Sequence, residues 1–178
     1  ADFFDFPIRG RGSHGAMPEA SRDPIVAGSA LVLALQSIVA RNVGARDSAV
    51  LSVTMFNAGS AYNVVPSEVR LGGTVRFLDE GVGKLVRERM ERVAAGVASA
   101  FEVEIEVDIR PTFSTLQNDD ALSREMVAAA ADVVGAELAV IKDEPVMGSE
   151  DFADMLHVVP GAYCTVGQHG DVPLHNPG

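Results

Sequence analysis

Glu102-Val103-Glu104-Ile105-Glu106-Val107-Asp108-Ile109-Arg110 alternates acidic and β-branched residues with almost no break. A period of two marks a strand with one buried face, so Val103, Ile105, Val107 and Ile109 point inward and Glu102, Glu104, Glu106 and Asp108 outward. Four outward carboxylates read as a solvated face rather than a metal site, because only one face of such a sheet needs burying. Just upstream, Val86, Met90, Val93 and Val97 recur at helical spacing, marking an amphipathic helix that ends near Phe101. Before that helix, Val69, Leu71, Gly73, Val75 and Phe77 share one face of a strand, with Arg70, Thr74 and Arg76 on the other. A further strand upstream is expected to hold Leu51, Val53 and Met55 on one face.

The N-terminal third completes the pattern. Asp23 can cap a helix with Pro24 in its first turn, and Leu31, Ala34, Leu35, Ile38 and Val39 form its apolar stripe to about Arg41. Phe4, Phe6 and Ile8 alternate in a first strand. The order is β-α-β-β-α-β, the ferredoxin-like unit, closing near Thr112 with both helices on one side of a four-stranded sheet. In that unit the second strand, Ala49 to Phe56, lies at an edge, where unpaired N–H and C=O groups invite a partner strand.

From Phe113 the pattern changes. Asp119 opens a helix carrying Leu122, Met126, Val127, Ala130 and Val133, with Gly135 as its C-cap. A loop through Glu144-Pro145-Val146-Met147-Gly148-Ser149-Glu150-Asp151-Phe152 enters a short helix, and Gly161 to Val166 reads as a short strand. The last residues, Leu174-His175-Asn176-Pro177-Gly178, contain no closing element, so this tail needs further structure to bury it. The chain reads as a piece of a longer protein.

Composition narrows the partners. A formal charge of −11 argues against phosphate backbones and anionic membranes. The strands carry no interleaved aromatic and basic residues of the kind that RNA binders on this fold use. No run of eighteen apolar residues predicts a membrane span: the window Ile25 to Val39 is broken by Gly28, Ser29, Gln36 and Ser37. A single cysteine, Cys164, leaves no intrachain disulfide and suits a reducing, cytoplasmic compartment.

One loop stands out for chemistry. Gly10-Arg11-Gly12-Ser13-His14-Gly15-Ala16-Met17-Pro18 places a histidine, the side chain titrating nearest neutral pH, among three glycines at a strand's end. By itself this is either a polar turn or a delivered functional group.

Taken together, that loop, Ala61-Tyr62-Asn63-Val64-Val65-Pro66, Gly73-Thr74-Val75-Arg76, Met147-Gly148-Ser149-Glu150-Asp151-Phe152 and Leu174-His175-Asn176-Pro177 resemble one family. It is the dinuclear-metal aminoacylase and exopeptidase family, which includes hippurate hydrolase, indole-acetyl-amino-acid amidohydrolases and carboxypeptidase G-like enzymes. The order and spacing of the five segments agree over essentially the whole chain. Ser13 stands where a glycine is commoner, Glu19 where a histidine is commoner, and Ala58-Gly59-Ser60 varies a Gly-Gly start.

The resemblance implies an α+β protein: a ferredoxin-like lid and dimerisation domain over residues 1–112, then the C-terminal portion of an α/β zinc-peptidase-type catalytic domain over 113–178. It implies hydrolysis of the amide bond of N-acyl amino acids or small peptides by a homodimer paired through the lid. Two divalent metal ions (Zn, Mn, Co or Ni) would serve the complete enzyme. The family's Cys/His metal motif, its Glu-Glu pair with the general base and a further histidine are absent here, so this piece alone is expected to be metal-free and inactive. Of the metal ligands only His175 matches; His14 would be a catalytic donor reaching into the neighbouring subunit, and Asn63, Arg76 and Glu150 would bind substrate. Glu150, at a helix start, could equally be a cap. Two other function classes fit the same residues, an interaction module used only for pairing and a binding protein that kept the fold without the chemistry.

Overall fold

The computed structural model describes residues 1–142 and 144–167. These form two compact units, one of residues 1–116 with 144–154 and the other of residues 117–142 with 155–167. In chain order the elements are β1 (Asp2–Arg9), β2 (Ser13–His14), a single 3-10 turn (Pro18–Ala20), α1 (Pro24–Asn42), β3 (Ala49–Ala58), β4 (Val64–Val65), β5 (Glu68–Phe77), α2 (Glu80–Phe101), β6 (Glu104–Ile105), β7 (Asp108–Pro111), α3 (Asp120–Val134) and α4 (Phe152–Leu156).

The main sheet runs β3-β5-β1, with β6 and β7 together forming the fourth strand beyond β1, and every neighbour is antiparallel. This is the strand order of the ferredoxin-like unit, with the second strand, β3, at the edge. Local chemistry explains the helices. Asp23 Oδ1 accepts from the N–H groups of Ile25 (2.8 Å) and Val26 (3.4 Å) to start α1, and Asp79 Oδ1 accepts from Val82 N–H at 3.1 Å to start α2. Glu102, at φ 53°, turns left-handed to end α2. Phe4, Phe6, Ile8, Leu71 and Val75 from the sheet meet Leu31, Leu35, Ile38, Val86 and Met90 from the helices in one buried core. Each such side chain contributes about 1.5–3 kcal/mol on full burial. By length and composition α1 could cross a membrane; here Ala27, Leu31, Leu35 and Ile38 are fully buried against the rest of the domain.

Two details differ from the alternation in the sequence. The register of β3 against β5 shifts between Val53 and Met55: Leu51 and Val53 pair with Val75 and Gly73, but Met55 pairs with Gly72 and Phe56 with Leu71. The bulge therefore takes Met55 off the core face and onto the open face, and Phe56 replaces it on the helix side. The fourth strand is broken after Ile105 although β6 and β7 keep one register against β1. Glu106 N–H donates to Pro7 C=O at 3.0 Å, but proline has no N–H to return, and the ladder lapses there. The outward acidic row is paired with arginines: Arg9 reaches Glu104 (3.9 Å) and Glu106 (3.4 Å), Arg22 meets Glu102, and Arg110 meets Asp5 and Asp108.

Among the described residues one ion pair has a fully buried carboxylate. The Asp2 side chain has no exposed surface, and Arg87 grips it with Nε at 2.7 Å and Nη2 at 2.9 Å. The hydrogen bond to Asp2 holds the Arg87 pKa above its ordinary value, against the opposing effect of burial.

In the second unit α3 is capped by Asp119, whose Oδ1 accepts from Ala121 (3.0 Å) and Leu122 (2.9 Å), and it ends at Gly135 with φ 95°. Leu122, Met126, Val127 and Ala130 are half-buried, whereas Val133, expected on the same stripe, is exposed. Gly161 to Val166 is not a strand. The Asn118 side chain occupies both backbone groups of Tyr163, at 2.8 and 2.9 Å, and so takes the place of a ladder partner.

Candidate functional site

The glycine-rich loop after β1 is an ordered arm rather than a free turn. Ser13 and His14 pair with Val65 and Val64 in a separate two-stranded ribbon of β2 and β4. Gly12 allows that approach, since a Cβ there would lie 2.6 Å from the Val65 carbonyl oxygen. Gly15 N–H donates to Asn63 C=O (2.7 Å) and Met17 N–H to His14 C=O (2.8 Å). Arg11 Nε–H donates to Ala20 C=O at 2.8 Å and ties the loop to the 3-10 turn.

The His14 ring is exposed, and its Nδ1 accepts a hydrogen bond from Ala16 N–H at 3.1 Å. Asn63, across the ribbon, is also exposed; its carbonyl holds the arm, and its side-chain amide has no partner among the described residues. Beside them lies an open groove of about 750 Å³, with Gly12, His14, Ser60, Val64, Ser67 and Glu68 among its walls.

Arg76 stands elsewhere. It lies half-buried on the open face of β5, opposite Val50, and its guanidinium donates to Ser149 Oγ. Glu150 follows directly; its carboxylate is exposed and makes no capping hydrogen bond among the described residues, while its carbonyl accepts from Ala153 N–H at 3.3 Å. Eight residues of extended strand separate Glu68, in the groove, from Arg76, roughly 27 Å at about 3.4 Å per residue. An extended dipeptide spans only about 7 Å.

The expected site residues thus form two groups within one chain, His14 with Asn63 and Arg76 with Glu150. His175 and His169 lie outside the described residues. His157 and Cys164 are exposed. Among the described residues no three His, Cys, Asp or Glu side chains stand together as a metal site would require. Two participants were not singled out from sequence, Ser149 and the backbone N–H of Ala16. Ser149 sits in the same short motif as Glu150, and that adjacency was the available signal.

An antiparallel sheet in the order β3-β5-β1-β6/β7 with two helices on one face defines a domain of the ferredoxin-like type. Residues 3–102 match the family profile described as the peptidase dimerisation domain of M20 peptidases. The chain belongs to that family. It is 35% identical over 176 residues to hippurate hydrolase of Campylobacter jejuni, covering 99% of this chain and 46% of that protein. It is 38% identical over 176 residues to N-acetyl-L-cysteine deacetylase of Bacillus subtilis, covering 99% and 42%. The chain therefore spans somewhat under half the length of these relatives. Among solved structures it resembles a Bacillus subtilis dinuclear metal-binding peptidase of the M20 family, with TM-score 0.64 and 28% identity over 90% of this chain and 38% of that one. It also resembles an aminobenzoyl-glutamate utilization protein from Klebsiella pneumoniae, with TM-score 0.69 and 28% identity over 87% and 39%.

Proposed function

We propose that the complete protein is a metal-dependent amidohydrolase that cleaves the amide bond of N-acyl amino acids or small peptides. It works as a homodimer paired through residues 1–112, with residues 113–178 belonging to the catalytic domain. The observation that carries this reading is the distance between the two groups of site residues. His14 and Asn63 lie too far from Arg76 to hold one small substrate within a single chain, so a second chain supplies the missing half. The names of the relatives, hippurate hydrolase and N-acetyl-L-cysteine deacetylase, support the substrate class. The exposed Cys164 thiol fits a reducing cytoplasm.

The chemistry divides by residue type. Hydrolysis of an amide needs an activated water, which a pair of divalent metal ions supplies when bound. Their ligands come from outside the described residues, and His175 is the one this chain contributes. Negative charge develops on the amide oxygen as water adds, and the exposed ring of His14 donates a hydrogen bond to it. Asn63 holds the substrate amide. Arg76, oriented by Ser149 and near Glu150, grips the carboxylate, for which a planar guanidinium is suited. The exposed apolar residues of the second unit, among them Val133, Leu138, Val140 and Ile141, are covered by the rest of the catalytic domain.

The test is hydrolysis of simple N-acetyl and N-benzoyl amino acids by the purified, metal-loaded complete protein. His14→Ala should lower kcat by about 100- to 1,000-fold, as loss of one such donor does. KM and metal content should hold. Loss of metal in that variant would make His14 a ligand instead, and an unchanged kcat would remove it from the reaction.

A further inference from the structure

We infer that the backbone N–H of Ala16 selects which nitrogen of the His14 ring carries the proton, making Ala16 a positioning residue. The inference rests on the donor role proposed for His14. Ala16 N–H points at Nδ1 from 3.1 Å, so Nδ1 must offer a lone pair. A neutral imidazole has one N–H and one acceptor, and the proton therefore sits on Nε2. Nε2 makes no hydrogen bond to any described residue and remains available to a ligand. The opposite tautomer would present an acceptor to the ligand, and an acceptor repels a developing oxyanion.

The arm is built to hold this arrangement. Three consecutive amides are directed at His14 or at Asn63, the residue just before its partner strand: Gly15 N–H to Asn63 C=O, Ala16 N–H to the ring, and Met17 N–H to His14 C=O. The first and third fix the backbone. The second fixes the ring, both in tautomer and in rotation, so Nε2–H is aimed before any substrate arrives. A donor already oriented in this way needs no reorganisation as charge forms.

The experiment uses the complete protein carrying isotopically labelled histidine, with the His14 signals assigned by their loss in His14→Ala. At a pH where the ring is neutral, nitrogen NMR should show Nδ1 unprotonated and Nε2 protonated. A protonated Nδ1 overturns the inference, even if His14→Ala still abolishes turnover and the donor role stands. Conversely, the expected tautomer with an unchanged kcat in His14→Ala would leave the ring geometry correct and the donor role wrong.

Ala16→Pro removes the N–H and should lower kcat by about 2- to 12-fold, the equivalent of one neutral hydrogen bond, with KM held. Because proline can also disturb a turn, the same change is made in a His14→Gln background. The amide of glutamine donates without any tautomer to select. There Ala16→Pro should cost less than twofold if its role passes through the ring. An equal loss in both backgrounds would make Ala16 a residue of the turn alone and overturn the inference.

Discussion

Mixing two dead variants should restore activity, and the structure sets how much. His14→Ala removes the proposed donor from the ribbon arm, and Arg76→Ala removes the proposed carboxylate grip at the far end of β5, roughly 27 Å away along a strand that rises about 3.4 Å per residue. In the proposed two-chain site, each catalytic half would use its own Arg76 and its partner's His14. A mixed dimer then has one site with both residues intact and one with neither. Random exchange of equal amounts puts half the dimers in the mixed class, and half of their sites work, so about one quarter of wild-type activity should return in a closed twofold assembly. The assay is turnover of an N-acyl amino acid after exchange has been verified with two differently tagged subunits. If each site instead drew both residues from one chain, every site in the mixed dimer would lack one of them. A mixture no more active than its parents would therefore refute the two-chain site.

Three further outcomes test the frame that carries the site. Gly73→Ala would place a Cβ 2.0 Å from Ser52 C=O and 2.5 Å from the buried Phe4 ring; denaturant unfolding should show a loss of about 1–3 kcal/mol, and no loss would show that the β3–β5 spacing is not tight. Arg87→Met strands the buried Asp2 carboxylate and should cost about 3 kcal/mol, the low end for such a pair because Arg87 keeps a quarter of its surface in water. Pairing the change with Asp2→Asn should recover much of that loss in the same unfolding assay. Donors alternate from side to side along a strand, so of Ser52→Pro and Val53→Pro one loses its N–H from the free edge of β3 and the other from the β5 ladder. Sedimentation should find one of the two folded and monomeric, and two folded dimers would place the pairing surface elsewhere.

What could be read from the residues was what depends on period. Phe4, Phe6 and Ile8, the row from Val69 to Phe77, and the caps Asp23 and Asp119 all declare themselves within a few positions, because burial and capping are local requirements. Events that depend on the neighbouring strand were not legible in the same way. The bulge beside Thr54 leaves no mark in the alternation of β3, yet it exchanges the faces of Met55 and Phe56. The break after Ile105 originates in Pro7, nearly a hundred residues away, and becomes a cause only once the two are paired. Gly161 to Val166 has the composition of a strand but meets the Asn118 side chain instead of a ladder. The candidate site follows the same division. Its motifs name His14, Asn63, Arg76 and Glu150 but carry no distances, and Ser149 emerges only from its contact with Arg76.

The separation of the two groups follows from the length of β5. Asn63 precedes that strand by a turn and β4, so it stays at the strand's beginning with His14, to which the ribbon binds it. Arg76 comes one residue before the strand's end. Ten paired residues between two neighbours leave no slack for those ends to approach each other. Any reaction that needs both groups must bring the second from another molecule, and the free edge of β3 belongs to the same sheet that keeps them apart. One strand thus accounts for two properties, since the length that stabilises the sheet also makes a single chain insufficient for the proposed chemistry.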